Sequence, residues 1–575
     1  MSCSRALTVA LAFSMLTAAG CGSGRSPGTA GTTAPSAGAS APEALDGATV
    51  STRPLPLPER GKAYDNPQPR ENVRDGGTLT LPIDELGPNF NQFSVDGHSL
   101  YMDWIWSWIA PTPWIYSVTG GVTPNKDYVL AVERVSENPE TFKLTLNPAA
   151  KWNDGTPIDW TAFDTTWKTQ SGADDRYNPA STVGYSSIAS VAKGEKANEV
   201  IVTFKEPFYP FEFLFQYLAH PKLADPAFFK SGWVRDLHPE LLAGPFTVDS
   251  LSEERLVFKR NPTWWGEPAK LDQVVYIRMA DQASINALQN GEIDATYFVT
   301  ADRLKQVGDI ESLQIRRGFY ANTFVYTMGR DSELFRDAAA RRAFVLGTDR
   351  DLLVKIRYQG LDWKEEPPGS VMMFPWQDGY RDNISDLHYD PKLAAQVLED
   401  AGWKVGSDGY RYKEGKLAEF TYVTFSDNPT IAALARAQQK MSADVGLKMQ
   451  IDTRKSSDYS PTMTRGDYDV VIMGWASSDP FGYVEACQIF CSDSESNYSR
   501  LGNKTIDERL KRVGTIADRA QAVAAMNEAE ADALHQLGTF PLYNGPEQFI
   551  VRKGLANFGP AGFASPVRKN VGWQK

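Results

Sequence analysis

Residues 419–475 carry the order of elements that decides the fold. They read EFTYVTF (419–425), TIAALARAQQKMSADV (430–445), KMQIDTR (448–454) and DVVIMGW (469–475). The first run alternates and is rich in β-branched and aromatic residues, which predicts a strand. The second places Ile431, Leu434, Met441 and Val445 at roughly helical spacing, which predicts a helix. The third is strand-like. The fourth is a short, nearly continuous apolar run, the pattern of a strand covered on both faces. Strand, helix and strand in succession point to α/β layers with parallel sheet content.

Working outward, the same alternation continues. A helix is expected over 337–356, then a Pro/Gly loop, EEPPGSVMMFPWQDGY (365–380), then a helix over 391–401 ended by Gly402. The clearest helix spans 517–537, with Val523, Met526, Glu530, Leu534 and Leu537 on one face. Upstream, strands are expected at 78–83, 141–146, 199–204, 255–261 and 274–279, and helices at 211–219 and 282–290. Folded sequence is expected to begin at Asp75-Gly76-Gly77.

The N-terminus sets the compartment. Residues 1–21, MSCSRALTVALAFSMLTAAGC, hold one positive charge at Arg5, an apolar run to about Leu16, and small residues before Cys21. These are the parts of an export signal, and the apolar run is too short for a stable membrane span. Residues 22–74 are rich in Gly, Ser, Thr, Ala and Pro. Such a segment buries too little surface to fold and is expected to act as a tether, reaching about 40 Å. The leader resembles a bacterial lipoprotein signal, which implies that Cys21 becomes the first mature residue and carries the acyl chains, and a leash directly after that cysteine suits a lipid-anchored domain. Cys487 and Cys491 remain, four residues apart. Outside the cytoplasm they either close a small local disulfide or stay two buried thiols.

Composition narrows the function. The chain has 575 residues and a net charge of −12. That size calls for two or three subdomains, and that charge argues against a nucleic-acid partner. Aromatic residues make up 11%, including 15 Trp, which serve either core packing or an aromatic-lined cleft. No phosphate-binding loop, dinucleotide fingerprint, His-Glu-x-x-His helix or nucleophile elbow is present. The five histidines lie far apart in sequence. No cofactor and no metal site is expected.

Several segments resemble the bacterial extracellular solute-binding proteins of family 5, the peptide-binding components of ABC importers. They are KWNDGTPIDWTAFD (151–164), KRNPTWWG (259–266), ALQNGEIDA (287–295), FRDAAARRAFVLGTDRD (335–351) and FPLY (540–543), in the family's order. In the first, Asn153-Asp154-Gly155 reads as a turn and Thr161 as the cap of the next helix. The nearest likeness is to actinobacterial oligopeptide-binding lipoproteins.

The resemblance implies a two-lobed α/β periplasmic-binding-protein fold, type II with an extra subdomain, with the ligand cleft between the lobes. Lobe I would hold 75–110, 221–327 and 546–575, the extra subdomain 111–220, and lobe II 328–545. It implies capture of oligopeptides for a membrane permease and its ATPase subunits, by a monomer anchored to the outer face of the cell membrane, with no catalysis. The family's acid for the peptide ammonium follows the Gly-Trp strand end. Here that region is Gly474-Trp475-Ala476-Ser477-Ser478-Asp479-Pro480. Ser478 stands three residues after Trp475, and the role is carried to Asp479. Asp479 as a turn residue before Pro480 is the other reading. Further cleft candidates are Trp475, Asn91, Phe93, Trp376, Asn497 and Tyr498. Alternatives are the same fold with an oligosaccharide, metal chelate or haem, or a lipid-anchored hydrolase.

Overall fold

The computed structural model describes residues 59–575, apart from 298–300, 308–309, 330, 362, 426–428, 456–457, 478 and 565–566. The expected signal segment, Cys21 and Ser478 therefore lie outside the described residues. No helix among the described residues is long and apolar enough to cross a membrane.

Four sheets organise the chain. Thr78–Ile83 pairs in parallel with Gln273–Arg278, which continues antiparallel through Arg255–Arg260 to Phe246–Leu251. Its core takes Leu79, Leu81, Trp106, Trp108 and Phe258. An antiparallel sheet, Val129–Glu137, Glu140–Leu146, Glu199–Phe204 and Ile188–Lys193, encloses a second core around Trp114, Trp152 and Phe211. The largest core sits on five strands in the order Lys448–Thr453, Glu419–Thr424, Val470–Ala476, Asn322–Met328, Thr539–Tyr543. The first three run parallel and the last two are antiparallel, so the 419–475 stretch builds the parallel part.

A three-stranded sheet links the halves. Pro546–Arg552 pairs with both Ala295–Thr296 and Leu313–Phe319. The chain leaves Leu313–Phe319 through Tyr320-Ala321 into Asn322–Met328, and returns from Thr539–Tyr543 through Asn544-Gly545 into Pro546–Arg552. It thus crosses twice, side by side. Asn544 Nδ2 donates to Asn322 O (2.9 Å) and Thr323 Oγ1 (2.8 Å), while Glu365 accepts from the Asn544 and Gly545 amides, each at 2.8 Å. Buried backbone groups of the return crossing are satisfied by a side chain.

Four local expectations change. Residues 211–219 are not an α-helix: a three-residue 3-10 turn, Phe211–Phe213, gives way to extended chain. Phe211, Leu214, Phe215 and Leu218 are all core residues, too many sides for one helical face, and Phe215 takes a positive φ of 58°. The span 337–356 is two helices, Ala338–Leu346 and Arg350–Arg357. Asp349 caps the second through the Leu352 amide (2.9 Å), so an N-cap residue breaks what periodicity joins. The cap of Trp160–Gln170 is Asp159, which accepts from both the amide and the hydroxyl of Thr161.

The packed chain also begins earlier than Asp75. Tyr64, Asn66, Gln68 and Val73 are buried. Asn66 Nδ2 donates to Leu555 O at 3.1 Å, and the Phe558 amide to Asp65 O at 2.7 Å. The partner lies 489 residues away, and composition carries no sign of so distant a partner.

Candidate functional site

The central strand Val470–Ala476 ends where the two halves meet, the usual place for a ligand in open α/β sheets. Ser477 continues it, donating its amide to Ala321 O in the first crossing (2.9 Å) and its hydroxyl to Asp479 O (2.7 Å). Asp479 Oδ1 accepts the Phe481 amide at 2.7 Å, the geometry of an Asx turn before Pro480. Its Oδ2 accepts from Gln216 Nε2 of the opposite half at 3.0 Å. The two readings of Asp479 are therefore compatible: one oxygen makes the turn and the other faces the junction.

Asp479 is 6% exposed and makes no ion pair among the described residues. Burial pushes its carboxyl above the ordinary range, the Phe481 amide and Gln216 pull back, and Asp103 adds to the rise. A buried carboxylate held only by neutral donors is costly unless a cation joins it.

More acids surround it. Glu485, at the end of the short helix Gly482–Glu485, is pushed up to about 7, first by burial and then by Asp479. Burial also raises Glu212, against its own backbone and Arg519. Asp103, on Leu100–Ile109, accepts the Tyr217 hydroxyl at 2.7 Å. The Tyr116 hydroxyl lies within electrostatic reach of Asp479, Asp103 and Glu212, and it is sealed in without a hydrogen-bond partner among the described residues. Arg519 closes the rim: Nη1 donates to Gly120 O (2.8 Å), and the guanidinium lies 5.7 Å from the Phe481 ring centroid. Gly120, at φ +93°, lets the halves touch, since a Cβ there would stand 2.5 Å from Pro480 Cβ.

Aromatic rings form another wall. Trp376 stacks on Phe374 (5.4 Å between centroids) and Phe319 (5.6 Å), and tilts on Phe563 (4.9 Å). It thus bridges the Pro/Gly loop, the first crossing and the C-terminal segment. Gln377 beside it donates to Pro480 O at 3.1 Å. Trp475 stacks on half-buried Tyr498 at 6.1 Å. The indole N–H groups of Trp376 and Trp475 are buried without a partner among the described residues. Such unspent donors suit an incoming acceptor.

The structure thus groups Asp479, Trp475, Tyr498 and Trp376 around the junction and places three other candidates elsewhere. Asn91 is fully buried, with its amide spent on Phe229 O (2.7 Å) and the Phe93 N–H (3.1 Å). Phe93 packs edge-on against Trp106 (5.4 Å), which in turn contacts Tyr217. Asn497 organises its own loop, donating to Leu501 O (2.7 Å) and accepting from the Ser499 hydroxyl. Cys487 and Cys491 form a disulfide across the short helix Ala486–Phe490 that follows Glu485.

Asp103, Tyr116, Glu212, Gln216, Tyr217 and Glu485 are neighbours of Asp479 that sequence reasoning missed. Two had a readable signal. Asp103 is the single charge in the apolar helix LYMDWIWSWI, and Glu485 the single charge in FGYVEACQIF. A charge in an otherwise buried run needs a reason.

Comparison with known proteins gives the context. Residues 123–495 match the family model described as bacterial extracellular solute-binding proteins, family 5 middle. The oligopeptide-binding protein OppA of Mycobacterium tuberculosis H37Rv is 30% identical over 518 residues, 89% of this chain and 87% of that protein. The periplasmic oligopeptide-binding protein OppA of Escherichia coli K12 is 23% identical over 71% of this chain and 77% of its own. Among solved structures, the periplasmic EDTA-binding protein EppA aligns with a TM-score of 0.81 at 24% identity, covering 88% of this chain and 98% of its own. Bacillus subtilis AppA, solved with a nonapeptide, aligns at 0.69 and 20%, covering 88% and 100%. These structures share the two-lobed binding-protein fold.

Proposed function

Because the chain belongs to the bacterial extracellular solute-binding proteins of family 5, we propose that it captures oligopeptides between its lobes and hands them unchanged to an ABC permease. The observation that carries this reading is the enclosed Asp479 carboxylate at the junction, held by Gln216 and the Phe481 amide and lacking a cation among the described residues. A peptide ammonium supplies the missing charge through a charge-assisted hydrogen bond. Glu485 and Glu212 add negative potential around it. The indole donors of Trp376 and Trp475 suit main-chain carbonyls of an extended peptide. The relatives named for oligopeptide binding support the same ligand class.

In this reading residues 75–110, 221–327 and 546–575 form lobe I, 111–220 the extra subdomain and 328–545 lobe II. Each large core lies mostly within one of these units, with Val325 and Tyr326 joining the core of lobe II, Ala219 that of lobe I and Ala243 that of the subdomain, which supports the division in outline. The paired crossings at Tyr320-Ala321 and Asn544-Gly545 act as the hinge. Cys21 carries the lipid anchor, the working protein is a monomer outside the cytoplasm, and the closed lobes dock on the permease.

A second reading has a specific observation behind it. EppA is named for binding EDTA, and Arg568 is a half-buried cation over the Trp108 ring, so a polycarboxylate chelate is the alternative ligand. The acids around Asp479 disfavour it. Native mass spectrometry of the purified protein tests both. A ladder of short peptide masses supports capture of peptides. A single non-peptide mass, or a metal chelate with its isotope pattern, overturns it.

A further inference from the structure

The packed N-terminal stretch spans both lobes. Its foot stands on the strand that leads into the first crossing. Arg316, on Leu313–Phe319, is almost fully buried, and its guanidinium donates to Asp65 O (3.3 Å), Leu555 O (2.7 Å) and Phe558 O. Asn557 completes the foot: its amide donates to Asn66 O (2.9 Å), and its Oδ1 accepts from the Gln68 amide (2.8 Å). Backbone groups that burial takes from water are thus paired along residues 65–68. Tyr64, the next residue toward the N-terminus, is buried as well.

Four residues before Tyr64 the chain is on lobe II. Arg60 Nη2 donates to Gln377 O at 2.9 Å and to Asp378 Oδ1 at 2.8 Å. Gln377 Nε2 in turn donates to Pro480 O at 3.1 Å, beside Asp479. Gly61 passes the extra subdomain, since a Cβ on it would stand 3.9 Å from Thr119 Cγ2. Residues 60–68 therefore touch all three units. Arg60 and Asp378 are each more than half exposed, so their ion pair is a weak one. A buried foot and a weak exposed tip make a strap that lets go at one end.

Resting on the hinge reading above, we propose that residues 60–66 strap the closed lobes: Arg60 leaves Gln377 and Asp378 when the lobes part and takes hold again when they close. Such a contact is made in one of two states only, so it shifts their balance toward the closed one by the small free energy of the contact. The end of the expected tether is then a working part of the binding protein, and each opening frees its last residues.

Amide exchange of the ligand-free full chain, read residue by residue by mass spectrometry, tests this. The Tyr209 amide donates to Gly514 O at 2.7 Å, from the extra subdomain to lobe II, so its exchange reports how often the lobes part. Residues 200–203, paired with Thr141–Leu144 inside the subdomain's own sheet, report unfolding instead. Arg60→Gln should speed Tyr209 exchange about twofold to fivefold, the range for one exposed ion pair, and Asp378→Asn should give part of that. The double variant should match Arg60→Gln, Arg60→Lys should keep most of the protection, and 200–203 should not change. A Tyr209 rate that stays at the wild-type value in these variants but rises in Gln216→Ala overturns the strap and leaves the hinge standing. A rate unmoved in all of them overturns the hinge reading and the strap together. Faster exchange over 200–203 in step with Tyr209 makes Arg60 a support of the whole fold and also overturns the strap.

Discussion

Gln216 Nε2 donates to Asp479 Oδ2 at 3.0 Å across 263 residues of chain, joining the two halves by one neutral hydrogen bond to a buried acid. The pair needs a carboxamide and a carboxylate, and a carboxamide cannot cancel the charge. The junction is therefore closed but electrostatically unfinished. Asp479→Asn keeps the size and the possible hydrogen bonds while removing the charge. We expect peptide affinity to fall by about 30-fold to 1,000-fold, the range for losing one partner of a buried charged contact. The unfolding temperature of the ligand-free protein should stay the same or rise. Differential scanning fluorimetry beside calorimetry checks both, and a fall in both would make Asp479 a structural residue only.

Acidity should stabilise the ligand-free fold. Burial raises Glu485 from 4.5 to about 7, with Asp479 adding to the rise, and raises Glu547 from 4.5 to about 8. A carboxyl whose pKa is higher in the folded state contributes stability below its unfolded value and loses it as pH rises through the folded value. The unfolding temperature should therefore drop between about pH 4.5 and 8. Glu547→Gln and Glu485→Gln should each flatten that slope. A profile that rises across the same window contradicts these assignments.

Peptide binding should run the other way. The ammonium pairs with ionised carboxylates, so affinity should increase from pH 5 to 8 as Glu485, raised to about 7, loses its proton, with the raised Asp479 acting in the same direction, and binding should release protons. Calorimetry in buffers of different ionisation heat counts the protons. Uptake of protons on binding would refute the pairing.

Glu530 supports the Trp376 wall from behind. Its carboxylate accepts from Ser370 Oγ (2.5 Å), the Val371 and Met372 amides (2.7 and 3.0 Å) and Asn383 Nδ2 (2.7 Å). Glu530→Ala leaves these buried donors unpaired and should cost about 3 kcal/mol or more. Urea denaturation measures the loss, and faster amide exchange over 370–377 should accompany it. A cost under about 1 kcal/mol would mean that the loop does not depend on this acid.

Trp376→Phe should keep the stack on Phe319 and Phe374 and lose the indole donor. Affinity should drop by about fivefold to tenfold, the worth of one neutral hydrogen bond, with little change in stability. An unchanged affinity would place the donor outside the ligand's reach.

The elements that bury one clear face were legible. The expected strands at 199–204 and 419–425 and the helix at 430–445 return as Glu199–Phe204, Glu419–Thr424 and Pro429–Asp444, because period and burial agree there. The segment 211–219 misled because its aromatics pack on all sides, and its true work, aiming Gln216 and Tyr217 at the junction, depends on the break at Phe215. The site was half legible. Trp475 lies at, and Asp479 just beyond, a strand end that sequence marks, whereas Gln216 reaches Asp479 only through tertiary packing. Asn91 and Asn497 are expected as ligand contacts from where the family resemblance places their loops, and that resemblance carries no sign that their amides donate to Phe229 O and Leu501 O.

The most direct test of the amine contact is a calorimetric titration of the wild-type chain with tri-alanine and with its N-acetylated form. The account predicts that tri-alanine binds and that acetylation weakens it by about as much as Asp479→Asn does, with the acetylated form indifferent to that substitution. Equal affinity for the two forms in the wild type would contradict the pairing of a peptide ammonium with Asp479.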